Sequence, residues 1–230
     1  MSIEKVTRAP SIQHLVKMIG GTPDQTARNI IRMRDDGPKI RNFEARHYHM
    51  SRLKGMSLEQ ALRQAALDRR KEVAQTAIET LPLLEEYIRL SSPRWFRETG
   101  EYLHLISPGI VLPIKALGLI GAGGFKKLLC LQLWKTTSLS PTQFNIWASF
   151  CKVAVLERDP DVEDFDWLEM SVPVGTKARE LRVRSLEAAR LLSAAELKEV
   201  HDHLQAAMLI VEGTPKAERS SKKEEPKPPS

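Results

Sequence analysis

The chain has 230 residues, of which 42% are hydrophobic and 28% charged; this is enough apolar material for a folded core and excludes wholesale disorder. The formal charge of +6 and a pI of about 9.4 suit an anionic partner without requiring one. Two cysteines, Cys130 and Cys151, sit among apolar neighbours and are expected to be reduced, buried thiols.

The opening stretch MSIEKVTRAPSIQ has no apolar segment behind a basic start, so it is not a secretory signal and a cytoplasmic location is expected. After Pro10, Ser11 is placed to cap a short helix with Ile12, Leu15, Val16 and Ile19 at helical spacing, stopped by Gly20-Gly21. Thr22, Pro23 and Asp24 are N-cap and first-turn residues for a second helix through Ala27, Ile30, Ile31 and Met33, which ends at Asp36-Gly37-Pro38. Ser57 and Gln60 form a capping-box pair, and a long helix is expected behind them with Leu58, Leu62, Ala65, Ala66, Val73 and Ala77 on one side. Pro82 should kink or end it, because proline lacks the amide that the helix needs. A further turn stops at Ser91-Ser92-Pro93.

From Trp95 to Val155 the chain is far more apolar. Ser140-Pro141 opens a helix through Phe144, Ile146, Trp147, Phe150, Val153 and Val155 that is apolar nearly all round, as a central core helix is. The acidic stretch from Asp159 to Glu169 reads as a solvated connector, pinned to the body by Phe165 and Trp167. Trp167 to Val174 and Glu180 to Arg184 could pair as a two-stranded ribbon. Ser193 and Glu196 make a second capping box, opening a helix through Leu197, Val200, Leu204, Ala207, Met208 and Val211 that Gly213 ends. The expected fold class is therefore mainly α. A basic helical module occupies 1–92, an apolar helical core domain 93–213, and a disordered tail 214–230, whose composition leaves little to bury.

For function, the most informative stretch runs from Arg28 to Lys71, with twelve Lys and Arg against five Asp and Glu. Such cations neutralise phosphates without reading bases, and Tyr48 beside His47 could stack on one. Residues 12–35 also have the order of a helix-turn-helix, with Gln25, Arg28, Asn29 and Arg32 outward on the second helix, where such side chains reach base edges. These four, with Arg34, Lys39, Arg41 and Arg46, form the candidate nucleic-acid-binding set.

The other motifs are weaker. The run Gly118 to Phe125 resembles the start of a dinucleotide-binding turn, but the third motif glycine is absent and no βαβ pattern surrounds it, so no small-molecule cofactor is expected. Residues 106–125 have the length of a membrane span; Lys115, Pro108 and Pro113 inside it argue instead for burial in protein, and a membrane partner is not expected. His47 with His49, and His201 with His203, lie one residue apart and would diverge on a helix, so neither pair suits a shared metal ion. No catalytic set stands out. The leading expectation is a nucleic-acid-associated accessory or regulatory protein without enzymatic activity, bound to DNA or RNA. The alternatives are a protein-interaction or scaffold module that binds another protein, and a membrane-associated protein acting through 106–125. A single continuous face of Lys and Arg would favour the first, and scattered cations the second.

Overall fold

The computed structural model describes residues 7–36, 42–135 and 139–215. In chain order the elements are β1 (Thr7–Arg8), α1 (Ile12–Met18), α2 (Pro23–Asp36), α3 (Arg46–Leu53), α4 (Leu58–Ala66), α5 (Lys71–Ser91), β2 (Trp95–Glu98), β3 (Tyr102–Ser107), β4 (Ile110–Ile114), β5 (Gly118–Ala122), β6 (Phe125–Gln132), α6 (Pro141–Cys151), β7 (Asp164–Ser171), β8 (Glu180–Arg184) and α7 (Ala194–Gly213). A turn of π-helix, Lys152–Leu156, continues α6.

The fold is α/β, and the mainly α expectation is overturned. A mixed five-stranded sheet runs in the order β2-β5-β6-β7-β8, and a smaller sheet in the order β1-β4-β3. Within the large sheet only β6 and β7 are parallel, joined through α6, as parallel neighbours require a long crossover. Helices cover both faces. On one side Leu129, Leu131, Leu168 and Met170 pack with α3, α4 and α5. On the other, Leu128, Cys130, Phe165 and Trp167 pack with α1, α2, α6 and α7, and the small sheet joins this layer through Ile106, Leu112 and Ile114.

The apolar region expected as helices is where the strands lie. Central strands buried on both faces read as continuous hydrophobic runs and lose the two-residue alternation that marks a half-exposed strand. Pro113 is accommodated in β4 because β1 pairs only with Ile110 and Val111, leaving no neighbour on that side at Pro113. The glycine run forms the β5–β6 hairpin rather than a nucleotide turn. Ala122 pairs with Phe125 across Gly123 and Gly124, whose φ angles of 63° and 88° are the left-handed pair that a two-residue type I′ turn needs. Gly121 lies beneath the Trp95 indole, where a Cβ would come within 2.2 Å of Nε1.

Other expectations are met or adjusted in detail. Both cysteines are free and buried. The capping boxes expected at Ser57 and Ser193 form, and Ser140, expected to open a helix, does so with a capping box to Gln143. The long helix expected after Ser57 is two helices, because Asp68 accepts hydrogen bonds from the Arg70 backbone and guanidinium and holds a turn between α4 and α5. Pro82 lies inside α5 and does not end it. The ribbon is present as β7 and β8, now two of five strands. The acidic stretch is not a solvated connector: from Asp164 onward it is β7, with Asp166 and Glu169 buried beside Phe165 and Trp167. Residues 106–125 span β4, β5 and their turns, and no helix among the described residues is long and apolar enough to cross a membrane. The expected tail, apart from Thr214 and Pro215, lies outside the described residues.

Candidate functional site

The helices of the expected helix-turn-helix exist, but their inward faces belong to the core. Ile12, Leu15 and Val16 of α1 and Ala27 and Ile30 of α2 are buried in the layer with α6 and α7. Thr26, fully buried, bonds His203 of α7 at 2.8 Å and accepts the Gly20 amide at 2.8 Å, tying the turn to α7. Gln25, Arg28, Asn29 and Arg32 are exposed, as expected. The amide side chains are already occupied: Gln25 accepts from the Gly21 amide at 3.0 Å, and Asn29 donates to the Met18 carbonyl at 2.9 Å. Arg34 turns to the end of α7 and donates to the carbonyls of Val211, Thr214 and Pro215 while pairing with Asp35. It caps a helix, a role its position alone does not reveal. Lys39 and Arg41 lie outside the described residues.

Arg46 is on α3, across the sheet from α2. The basic stretch is therefore divided between two opposite layers, and much of its charge is matched. Arg52 pairs with Glu85 at 2.8 Å, Lys54 with Glu98 at 2.5 Å, Arg63 with Glu59 at 3.5 Å, and Arg70 with Asp68 and Glu44. Glu85 and Glu98 lie beyond the stretch in sequence, so counting within it could not find them. Tyr48 is buried, with its hydroxyl donating to Asp68 at 2.9 Å, and burial with that carboxylate pushes its pKa up to about 12. Its ring is not presented to a base.

At the carboxyl ends of β6 and β7, where open α/β sheets commonly place ligands, the side chains are mostly paired with one another. Arg179 is buried, donates to the carbonyls of Leu133 and Met170, and pairs with Glu79 of α5 at 2.8 Å. These residues border an open cleft of about 350 Å³ with Lys71 and Lys135 on its rim. On the other face, buried Glu169 accepts from Ser171 at 2.8 Å and Arg184 at 3.2 Å. Lys17 lies 3.4 Å over the Trp134 ring, and burial lowers its pKa to about 8 despite the attraction of Glu169. A cavity of about 20 Å³ beside Gln13, His14 and Trp134 has room for a single water molecule. Among the described residues no three His, Cys, Asp or Glu side chains gather as metal ligands.

The histidine pairs diverge, each toward its own partner. His104 of β3 meets His201 of α7 with 3.1 Å between their Nε2 atoms, and His104 Nδ1 is buried without a partner among the described residues. A protonated Nδ1 there would be an unmatched donor, so His104 donates from Nε2 and His201 accepts. Burial lowers His104 to about 4, helped by the nearby His201 and Arg158, and burial lowers His49 to about 4, helped by His47 and Arg179 against the hydrogen bond to the Ala45 carbonyl. Both are neutral in the fold and titrate near the ordinary 6.5 when unfolded. Their contribution to stability is therefore complete above pH 6.5 and lost as pH falls through the folded value of about 4. The melting temperature should fall between pH 6.5 and 4. His104→Leu should flatten part of that fall in calorimetric scans; an unchanged slope would show that His104 does not contribute.

The outward face of the β3–β4 hairpin is unusual in the opposite sense. Inward positions His104, Ile106, Leu112 and Ile114 are buried, as alternation requires. The outward partners are also apolar: Leu103 pairs with Pro113 and Leu105 with Val111. A half-solvated antiparallel sheet normally places polar residues there, yet Leu103 is 49% and Leu105 55% exposed. Charged groups border them: Lys115 pairs with Glu101 at 3.3 Å, and Arg158 donates to the Leu103 carbonyl at 3.2 Å. The sequence signal was the alternation Leu103-His104-Leu105-Ile106, hidden because every second residue was also apolar or aromatic. No protein family and no curated protein matches the sequence.

Proposed function

We propose that this protein is a protein-interaction module whose docking face is the outward side of the β3–β4 hairpin. The observation that carries the reading is the adjacent exposed pair Leu103 and Leu105, backed by half-buried Val111 and bordered by ion-paired charge. Contiguous apolar surface with a polar rim is the pattern of an association site, whereas single exposed leucines are ordinary. The division of the basic stretch between two layers supports this reading over a nucleic-acid surface. The buried, unpaired thiols suit a reducing compartment and so support a cytoplasmic location.

One observation favours the nucleic-acid reading. Arg28 and Arg32 are exposed one helical turn apart on α2, and a phosphate backbone could lie along them. The two readings separate in one experiment, in which wild type and Leu103→Glu/Leu105→Glu are used as baits for proximity labelling in cells, alongside anisotropy with labelled duplex and single strand at low salt. A protein partner lost only in the double variant is the expected result. Salt-sensitive nucleic-acid binding that survives in the double variant and weakens in Arg28→Ala/Arg32→Ala, with no protein lost, would replace this reading with the second.

A further inference from the structure

The large sheet ends at β8. Among the described residues its backbone pairs only with β7, so its outer edge is open. An open edge is a template for another strand, and proteins restrict that pairing with charge. Here the charges form a pattern. Glu180, Arg182 and Arg184 share the face of Glu169, while Leu181 and Val183 share the face of Met170 and Leu168. Arg184 is already engaged, with Nη2 3.2 Å from Glu169 and its guanidinium over the Phe144 ring. Arg182 reaches Glu169 only at 4.0 Å with its side chain 57% exposed. Glu180 is exposed and has no partner among the described residues.

We propose that β8 pairs antiparallel with β8 of a second copy, about a two-fold axis through Leu181, so that the two sheets become one of ten strands. This goes beyond the hairpin reading and uses a different edge of the molecule. In this register Glu180 stands opposite Arg182 of the second copy, twice by symmetry, and the two Leu181 side chains meet on the other face. The neighbouring symmetric registers are disfavoured: centring on Arg182 opposes two arginines and offers Glu180 only Arg184, which is already held by Glu169, and centring on Glu180 opposes two glutamates. The strand is thus its own complement in one alignment, as an isologous two-fold contact requires. Val183, 43% exposed, lies diagonal to Leu181 of the second copy on the same face and would gain cover from it. α5, which packs on β8, carries exposed Ile78 and Pro82 a turn apart. Extending the sheet across the axis brings the two α5 helices side by side and adds helix surface to a contact that a five-residue strand alone would leave small.

The test is light scattering on the full chain at about 100 μM, a concentration at which even weak dimers populate. Wild type is expected at twice the chain mass of 26.0 kDa. Glu180→Arg and Arg182→Glu alone should each be monomeric, because each sets like charges opposite one another at positions 180 and 182. Mixed in equal amounts they should form a heterodimer, since each variant then faces its opposite. Near-UV circular dichroism of each variant confirms that it is folded. A monomeric wild type overturns the proposal, and so does a dimer that persists in either variant. Leu103→Glu/Leu105→Glu should remain dimeric, so failure here and failure of the hairpin reading are separate results.

Discussion

Trp147→Ala is expected to remove about 3–5 kcal/mol of folding stability in urea denaturation, the range for truncating a large buried aromatic. The indole is fully buried, with Trp167 at 4.4 Å, Phe165 at 4.8 Å and Phe144 at 5.8 Å between ring centroids. These rings join α6 to β7 at the centre of the larger core, so the surroundings cannot collapse into the space without moving the crossover helix off the sheet. A domain whose total stability is about 5–15 kcal/mol would be left marginal. The control is Trp147→Phe. The Trp147 indole nitrogen has no hydrogen-bond partner among the described residues, so phenylalanine keeps much of the packing and removes an unmatched donor. It should cost much less than alanine. A loss below about 1 kcal/mol for Trp147→Ala would contradict the packing described.

Arg179→Ala should cost about 3 kcal/mol, at the low end for breaking a buried ion pair. Its side chain is 3% exposed and joins three elements: Glu79 on α5, the Leu133 carbonyl after β6, and the Met170 carbonyl in β7. Alanine removes the donor that two carbonyls and one carboxylate share. Lysine should not rescue it, because one ammonium cannot reproduce the fork of donors that a guanidinium directs at several acceptors. Glu79 is 27% exposed and can regain water, so Glu79→Gln/Arg179→Ala should cost less than the two single changes together. Additive losses in that cycle would mean that the pair does not act as a unit.

The parts of this fold that were legible in sequence are those with local chemistry. Ser57 and Ser193 announced helix starts because a capping box is made by residues three apart, and Ser140-Pro141 announced a third. The turn at Gly20-Gly21, the amphipathic α2 and the alternation in β8 were likewise short-range patterns. The central sheet was not legible, because Leu128 to Leu131 and Leu117 to Ile120 are covered on both faces and carry no alternation to distinguish a strand from a buried helix. Closer use of the positive-φ signal in Gly123-Gly124 would have pointed to a hairpin. The candidate site suffered from distance. Arg34 lies 177 residues from the Val211 carbonyl that it caps, and Lys54 lies 44 residues from Glu98. Charge counted along the chain saw neither partner, and so suggested a basic face where the fold places matched pairs on two sides of a sheet.

The packing of α2 along α7 determines the order in which this chain can be completed on the ribosome. Thr26 waits for His203, 177 residues later, and the apolar residues Ala27 and Ile30 wait for Leu204, Ala207 and Met208. Closing so long a loop is entropically slow, and during synthesis it cannot begin until α7 has left the exit tunnel. Through most of translation the N-terminal helices therefore present an uncovered greasy stripe, the kind of surface that holding chaperones bind. Maturation of the N-terminal layer is thereby tied to the emergence of α7.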